Sequence, residues 1–311
     1  MSHFANISCD SGFFKSLNEA YQIEKFRLIP CQIREVNQYT GRSNFVLAFP
    51  FEGINGDDAL IVLRNNKLAI EEAKLFIAWL STITREYLDL SYTDIGGGQR
   101  FGPLDTTKVT ETIDSKRLET VFHVKSEYSD GILVRIDRQE YTNRIRDLQG
   151  LTIPDDTVKK TRKLYFLPQR EKEKFFDACF SYQFALQNFG RLPSVSIVAL
   201  VNCVEIMMRD EISSGYCEDA RRDCPLKYDV MKKFRKFFEE NLHYPLPNNM
   251  KKFLNEVYGS RSNYVHIALL GVEKIKGPRY LSFGEDDKVK KQLSEFECIV
   301  NYGLITWLEK I

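Results

Sequence analysis

The chain carries almost no net charge: 44 Lys and Arg stand against 43 Asp and Glu, a formal +1 at neutral pH. No global field exists to gather a polyanion, so any nucleic-acid binding must come from local basic patches, and a non-specific DNA-coating role is disfavoured. The seven cysteines are odd in number and show no CxxC spacing, which argues against a secreted disulfide framework and for a reducing cytoplasm. Cys217 and Cys224 flank a charged stretch with too few further ligands for zinc, so both are expected to be ordinary thiols. No window approaches the about eighteen apolar residues of a membrane span. The first residues, Met1-Ser2-His3-Phe4-Ala5-Asn6, lack the basic-then-apolar order of an export signal. A soluble, cytoplasmic protein with no membrane association is expected. The glycine-rich stretch around Gly96, Gly97 and Gly98 lacks the preceding strand, the following helix and the Lys-Ser/Thr ending of a phosphate-binding loop, and is expected to be a plain loop.

What is present is ample core material. With 311 residues, 43% hydrophobic and 13% aromatic, the chain can build two cores, or one core and a substantial flanking module. The first half mixes signals. Asn44 to Phe51 and Ala59 to Leu63 predict strands. Leu68, Ile70, Ala73, Phe76, Ile77, Leu80, Ile83 and Leu88 recur at helical spacing, with Glu71 and Glu72 in the first turns. Residues 120–125 and 132–136 flank Ser129-Asp130-Gly131, a hairpin signal. His123 falls in its first strand and is expected to be an ordinary strand residue, as His243 is expected to be an ordinary surface one.

Near Pro154 the pattern breaks, which sets a domain boundary at 160/161. Lys159, Lys160, Arg162 and Lys163 form a basic cluster there, either a contact for RNA phosphates or a solvated linker. Beyond it the signal is helical. Phe175, Phe176, Cys179, Phe180, Tyr182, Phe184 and Leu186 predict one helix. Ser194 is a candidate N-cap for a second, Val195 to Ile212, that is apolar nearly all round and therefore central. Residues 228–241 predict a third, with Val230, Phe234, Phe237 and Phe238 inward. Its outward Lys232, Lys233, Arg235 and Lys236 make either a second RNA-facing patch or a solvated face. Met250, Phe253, Leu254 and Val257 predict a fourth, capped by Asn248 or Asn249. Polar loops follow at Gly277-Pro278 and at 284–287, and a last helix runs from Val289 to Leu308. The expected fold is α+β: residues 1–160 a mixed α+β domain of unknown role, residues 161–311 an all-α bundle.

The chemistry-bearing stretch is Tyr258-Gly259-Ser260-Arg261-Ser262-Asn263-Tyr264-Val265-His266. A guanidinium grips phosphate through a fork of donors, and an imidazole titrates near neutrality. On a straight helix the five-residue step from Arg261 to His266 leaves them roughly 140° apart. Convergence on one phosphate therefore needs an irregular helix near Gly259, a long reach by the arginine, or a second copy of the chain. Ser262 and Asn263 stand four and three residues before His266, within reach to orient it. Glu205, between Val204 and Ile206, needs a cationic partner; Arg209 and Arg261 are the two candidates.

Arg261-Ser262-Asn263-Tyr264-Val265-His266 resembles the signature of the HEPN superfamily, which is Arg, four to six residues, then His, with a polar residue soon after the Arg. The surrounding Val257 to His266 looks most like the Apea-like branch, in which a small residue usually stands where Ile267 is found here. The resemblance covers roughly residues 170–311. It implies a HEPN-like helical bundle and metal-independent endoribonuclease activity needing no cofactor, by transesterification from the 2'-hydroxyl of RNA. It further implies Arg261 on the phosphate, His266 in proton transfer, Asn263 or Ser262 orienting the imidazole and Glu205 holding Arg261. A homodimer is implied as well. The family's toxin and phage-defence members point to RNA restriction, with the N-terminal half as sensor or specificity module and an unidentified neutralising protein. The alternative is a non-catalytic module of the same type that binds a nucleotide, RNA or a protein partner.

Overall fold

Alternating interior side chains at Leu47, Phe49 and Phe51 have the two-residue period of a half-buried strand. They belong to β4 (Ser43–Glu52), which pairs antiparallel with β1 (Ser2–Ser11) from Ser2 opposite Glu52 to Ser11 opposite Ser43. The computed structural model describes residues 2–11, 21–30, 43–55, 58–90, 153–154, 156–189, 192–209, 225–242, 245–270 and 283–311. The Gly96–Gly98 stretch, the 120–136 hairpin with His123, the Cys217 and Cys224 stretch, His243 and Gly277-Pro278 lie outside the described residues. The described chain divides into two compact units, Met1–Tyr165 and Phe166–Ile311, in an α+β layout.

In the first unit, β2 (Tyr21–Ile23) and β3 (Phe26–Pro30) add to one edge of the β4–β1 pair and β5 (Leu88–Leu90) to the other, giving the order β2-β3-β4-β1-β5. Helix α1 (Ala59–Thr84) supplies the apolar cover. Phe26 of β3 stacks on Phe76 of α1 with ring centroids 3.9 Å apart, and Phe49 closes on the same ring at 5.1 Å. The strand expected at Ala59–Leu63 is instead the first turn of α1. The Asp58 side chain accepts the Leu60 amide at 2.9 Å and caps the helix. Leu60 and Leu63 are exposed rather than paired into a sheet. Leu88, expected as the end of that helix, belongs to β5 after Arg85 has turned the chain through a left-handed conformation, φ 55°.

Helix α2 (Thr157–Tyr165) also belongs to the first unit, so the linker expected around the basic cluster is structured. Its inner stripe is Thr157, Lys160, Thr161 and Leu164. Thr161 donates to the Thr157 carbonyl and accepts the Trp79 indole N–H of α1 at 2.8 Å, and Thr157 donates to the Pro154 carbonyl, so the two buried threonine hydroxyls and the indole are all paired.

The second unit is helical where it is described: α3 (Gln169–Asn188), α4 (Pro193–Met207), α5 (Pro225–Asn241), α6 (Asn248–Leu270) and α7 (Phe283–Lys310). Leu192, not Ser194, precedes α4, and Pro193 opens it, where a missing N–H costs nothing. Ile197, Leu200, Val201, Val204 and Met207 are buried, so α4 is central as its composition requires. Residues 284–287, expected as loop, lie in the first turns of α7. Phe234, Phe238 and Phe296 join α5 to α7. At Gly303 an added Cβ would lie 3.0 Å from the Phe237 ring, so glycine there sets the approach of the same two helices. Tyr182 of α3 donates its hydroxyl to the interior Glu297 of α7. Among the described residues no helix is long and apolar enough to cross a membrane.

Candidate functional site

Helix α6 runs without interruption through Gly259 to Leu270. The helical irregularity that would have brought Arg261 and His266 together within one chain is therefore absent. Their Cα positions remain about 140° apart around the axis. At Ser262, Asn263 and His266 the described structure is this helical backbone alone.

Arg261 is held from α4. Its Nη1 donates to Glu205 Oε1 of α4 at 2.6 Å. The same oxygen accepts the Tyr258 hydroxyl at 2.9 Å. Of the two candidate partners for Glu205, Arg261 is the one it meets. Arg209 instead pairs with Asp177 at 3.3 Å on the surface. The Glu205 side chain is only 14% exposed, a depth at which an unpaired carboxylate costs several kcal/mol. Two donors on one oxygen offset that cost. The Arg261 side chain is 34% exposed. It donates to Glu205, and a guanidinium, with five N–H donors, has others for an anion from outside.

Tyr258 was not singled out by its sequence context. The signal was there: it precedes Arg261 by three residues, hence shares its helix face, and a carboxylate in an apolar helix accepts more than one donor. Its ring lies 4.9 Å from that of Phe234 on α5. Burial first, and the Glu205 carboxylate second, hold its hydroxyl above the usual tyrosine range, against a smaller opposite pull from Arg261. The phenol thus keeps its proton and acts as a donor.

The basic residues differ in their partners. Lys160 is interior, its ammonium on Asp156, and offers nothing to a phosphate. Arg162 is held by Glu24 at 2.9 Å, while Lys159 is exposed and Lys163 half-buried. On α5, Lys232 and Lys236 are exposed and Lys233 and Arg235 half-buried. Lys236 pairs with Glu240 and Lys251 of α6 with Glu239, both at 3.4 Å, so that face is of mixed sign. Such a surface gives little counterion release. Cys179 and Cys203 are buried; burial, then the neighbouring Cys179 thiol, pushes Cys203 up, away from a reactive thiolate. Among the described residues no three His, Cys, Asp or Glu side chains cluster in a way that could hold a metal ion. In comparison with known proteins, the chain matches no family model, no curated protein sequence and no solved structure.

Proposed function

We propose that the helical unit is a HEPN-type, Apea-like endoribonuclease that cleaves RNA without a metal ion, as a homodimer with a composite cleft. One observation carries this reading: a partly exposed guanidinium, held from behind by a half-buried carboxylate, stands one and a half turns from a histidine on the same helix. Transesterification needs least from such a site. The 2'-oxygen attacks the adjacent phosphorus and gives up its proton to a base. The bond from phosphorus to the 5'-oxygen breaks, and that oxygen takes a proton, leaving a 2',3'-cyclic phosphate and a 5'-hydroxyl. Arg261 offsets the charge that develops on the phosphoryl oxygens. His266 moves protons, oriented by Asn263 or Ser262.

One imidazole cannot stand on both sides of one phosphorus, and α6 holds Arg261 and His266 on different faces. A two-fold related copy supplies the missing member on each side. RNA restriction in toxin or antiviral defence is the setting proposed, with residues 1–165 sensing or selecting and an unidentified protein neutralising.

Purified protein is expected to cut single-stranded RNA in excess EDTA, leaving 2',3'-cyclic phosphate ends. A substrate with 2'-deoxyribose at the cut position should be inert, and His266→Ala should cost at least about a hundredfold in rate. Cleavage that needs added divalent cation, or 5'-phosphate products, sinks the proposed chemistry. A second reading has its own support: Arg261 already has an ionic partner, as a purely structural arginine does. A non-catalytic module binding nucleotide, RNA or protein follows, and RNA retention with no cleavage under any condition selects it.

A further inference from the structure

We infer that Tyr258 is a positioning residue of this site, fixing the Glu205 carboxylate that in turn aims the Arg261 guanidinium; the inference rests on the nuclease reading above. Its basis is the sharing of one oxygen. Arg261 Nη1 meets Glu205 at Oε1, 2.6 Å away. A contact of this kind is a pivot, about which a carboxylate turns and a long side chain swings. The Tyr258 hydroxyl on the same Oε1, 2.9 Å away, removes that freedom.

The two donors differ in how firmly they are placed. Tyr258 is 8% exposed, and its ring rests against Phe234, itself fully interior. The Arg261 side chain is 34% exposed and rides at the end of a flexible stem. Positional information therefore runs outward from the aromatic core, through the phenol to the carboxylate and from there to the guanidinium. Three helices take part: α5 seats the ring, α6 carries both donors and α4 carries the acceptor. Near-attack geometry is sensitive to displacements of about 1 Å, so a group separated from substrate by two intervening side chains still has kinetic weight.

The test is Tyr258→Phe, which keeps the ring and its contact with Phe234 and deletes only the O–H. In the full-length protein kcat for RNA cleavage is expected to fall about tenfold, with KM changed less than about twofold. In a Glu205→Ala background, which deletes the shared acceptor, the same substitution should add little, because most of its effect passes through that carboxylate. A readout free of activity accompanies the rates: the Arg261 side-chain Nε–H signal in NMR spectra, assigned by its loss in Arg261→Lys, should shift in Tyr258→Phe. Rates are taken per folded molecule by circular dichroism; if Tyr258→Phe folds poorly, Glu205→Gln alone must shift the same signal. An unmoved Arg261 signal overturns the inference whether or not the protein cuts RNA. A moved signal with unchanged kcat in an active wild type overturns it too. A moved signal in a protein that cleaves no RNA supports Tyr258 as the group that places Arg261, and removes the nuclease reading instead.

Discussion

On the proposed nuclease reading, Arg261→Ala is expected to lower the rate of RNA cleavage by about two to three orders of magnitude, the loss typical of removing one donor from developing oxyanion charge. Arg261→Lys does not restore it, since a point charge cannot meet Glu205 and a phosphoryl oxygen together through a planar fork. The substitution also has a cost in stability. Glu205, 14% exposed, would retain the Tyr258 hydroxyl as its one partner among the described residues, and a poorly paired carboxylate at that depth costs about 1–3 kcal/mol. Cleavage must then be compared per folded molecule, by initial rates against the far-ultraviolet signal of the same samples. A folded Arg261→Ala protein within threefold of the wild-type rate would take the guanidinium out of the chemistry and leave it as a structural partner of Glu205.

The largest effect on stability is expected at Phe296→Ala. The ring is fully interior, with Phe234, Phe253 and Phe238 at centroid distances of 6.4, 6.4 and 6.5 Å. Deleting such a ring costs about 3–5 kcal/mol, a large share of the roughly 5–15 kcal/mol that holds an average domain together. Phe234 also seats Tyr258, so the cavity opens toward the candidate site and activity should fall before global unfolding. The measurement has a built-in probe. Two tryptophans occur in the chain, Trp79 and Trp307, one in each unit. In a Trp79→Phe background, urea unfolding followed by fluorescence reports the helical unit through Trp307, which stacks on Phe175 at 5.5 Å. A midpoint unchanged from the parent would mean that the aromatic cluster contributes little to holding α5, α6 and α7 together.

The helices of the second unit are legible because their apolar residues recur at three and four over long stretches, a period only a helix satisfies. Strand β4 is legible through its alternation. What stayed hidden has physical reasons. Ile61 and Val62 are β-branched and locally resemble a strand; the Asp58 cap and the twenty-six-residue length of α1 override them. Strand β1 has few apolar residues in its alternation and is defined by ten paired positions along β4 that no local window contains. The inner stripe of α2 is Thr157, Lys160 and Thr161 beside Leu164, so hydropathy sees a linker where hydrogen bonding makes a buried face. At the candidate site, the pairing need of Glu205 is readable from its apolar neighbours. The choice of Arg261 over Arg209 is not, because it depends on which face of α4 meets α6.

The unbroken course of α6 carries a consequence for how the protein would behave when scarce. If each cleft borrows its histidine from a second chain, competence belongs to the encounter of two molecules rather than to either one. Output per molecule should then decline in proportion to concentration once the pair begins to separate, while affinity-tethered or fused copies keep working at any dilution. Abundance itself would act as the switch, with a few stray copies harmless and a burst of synthesis decisive.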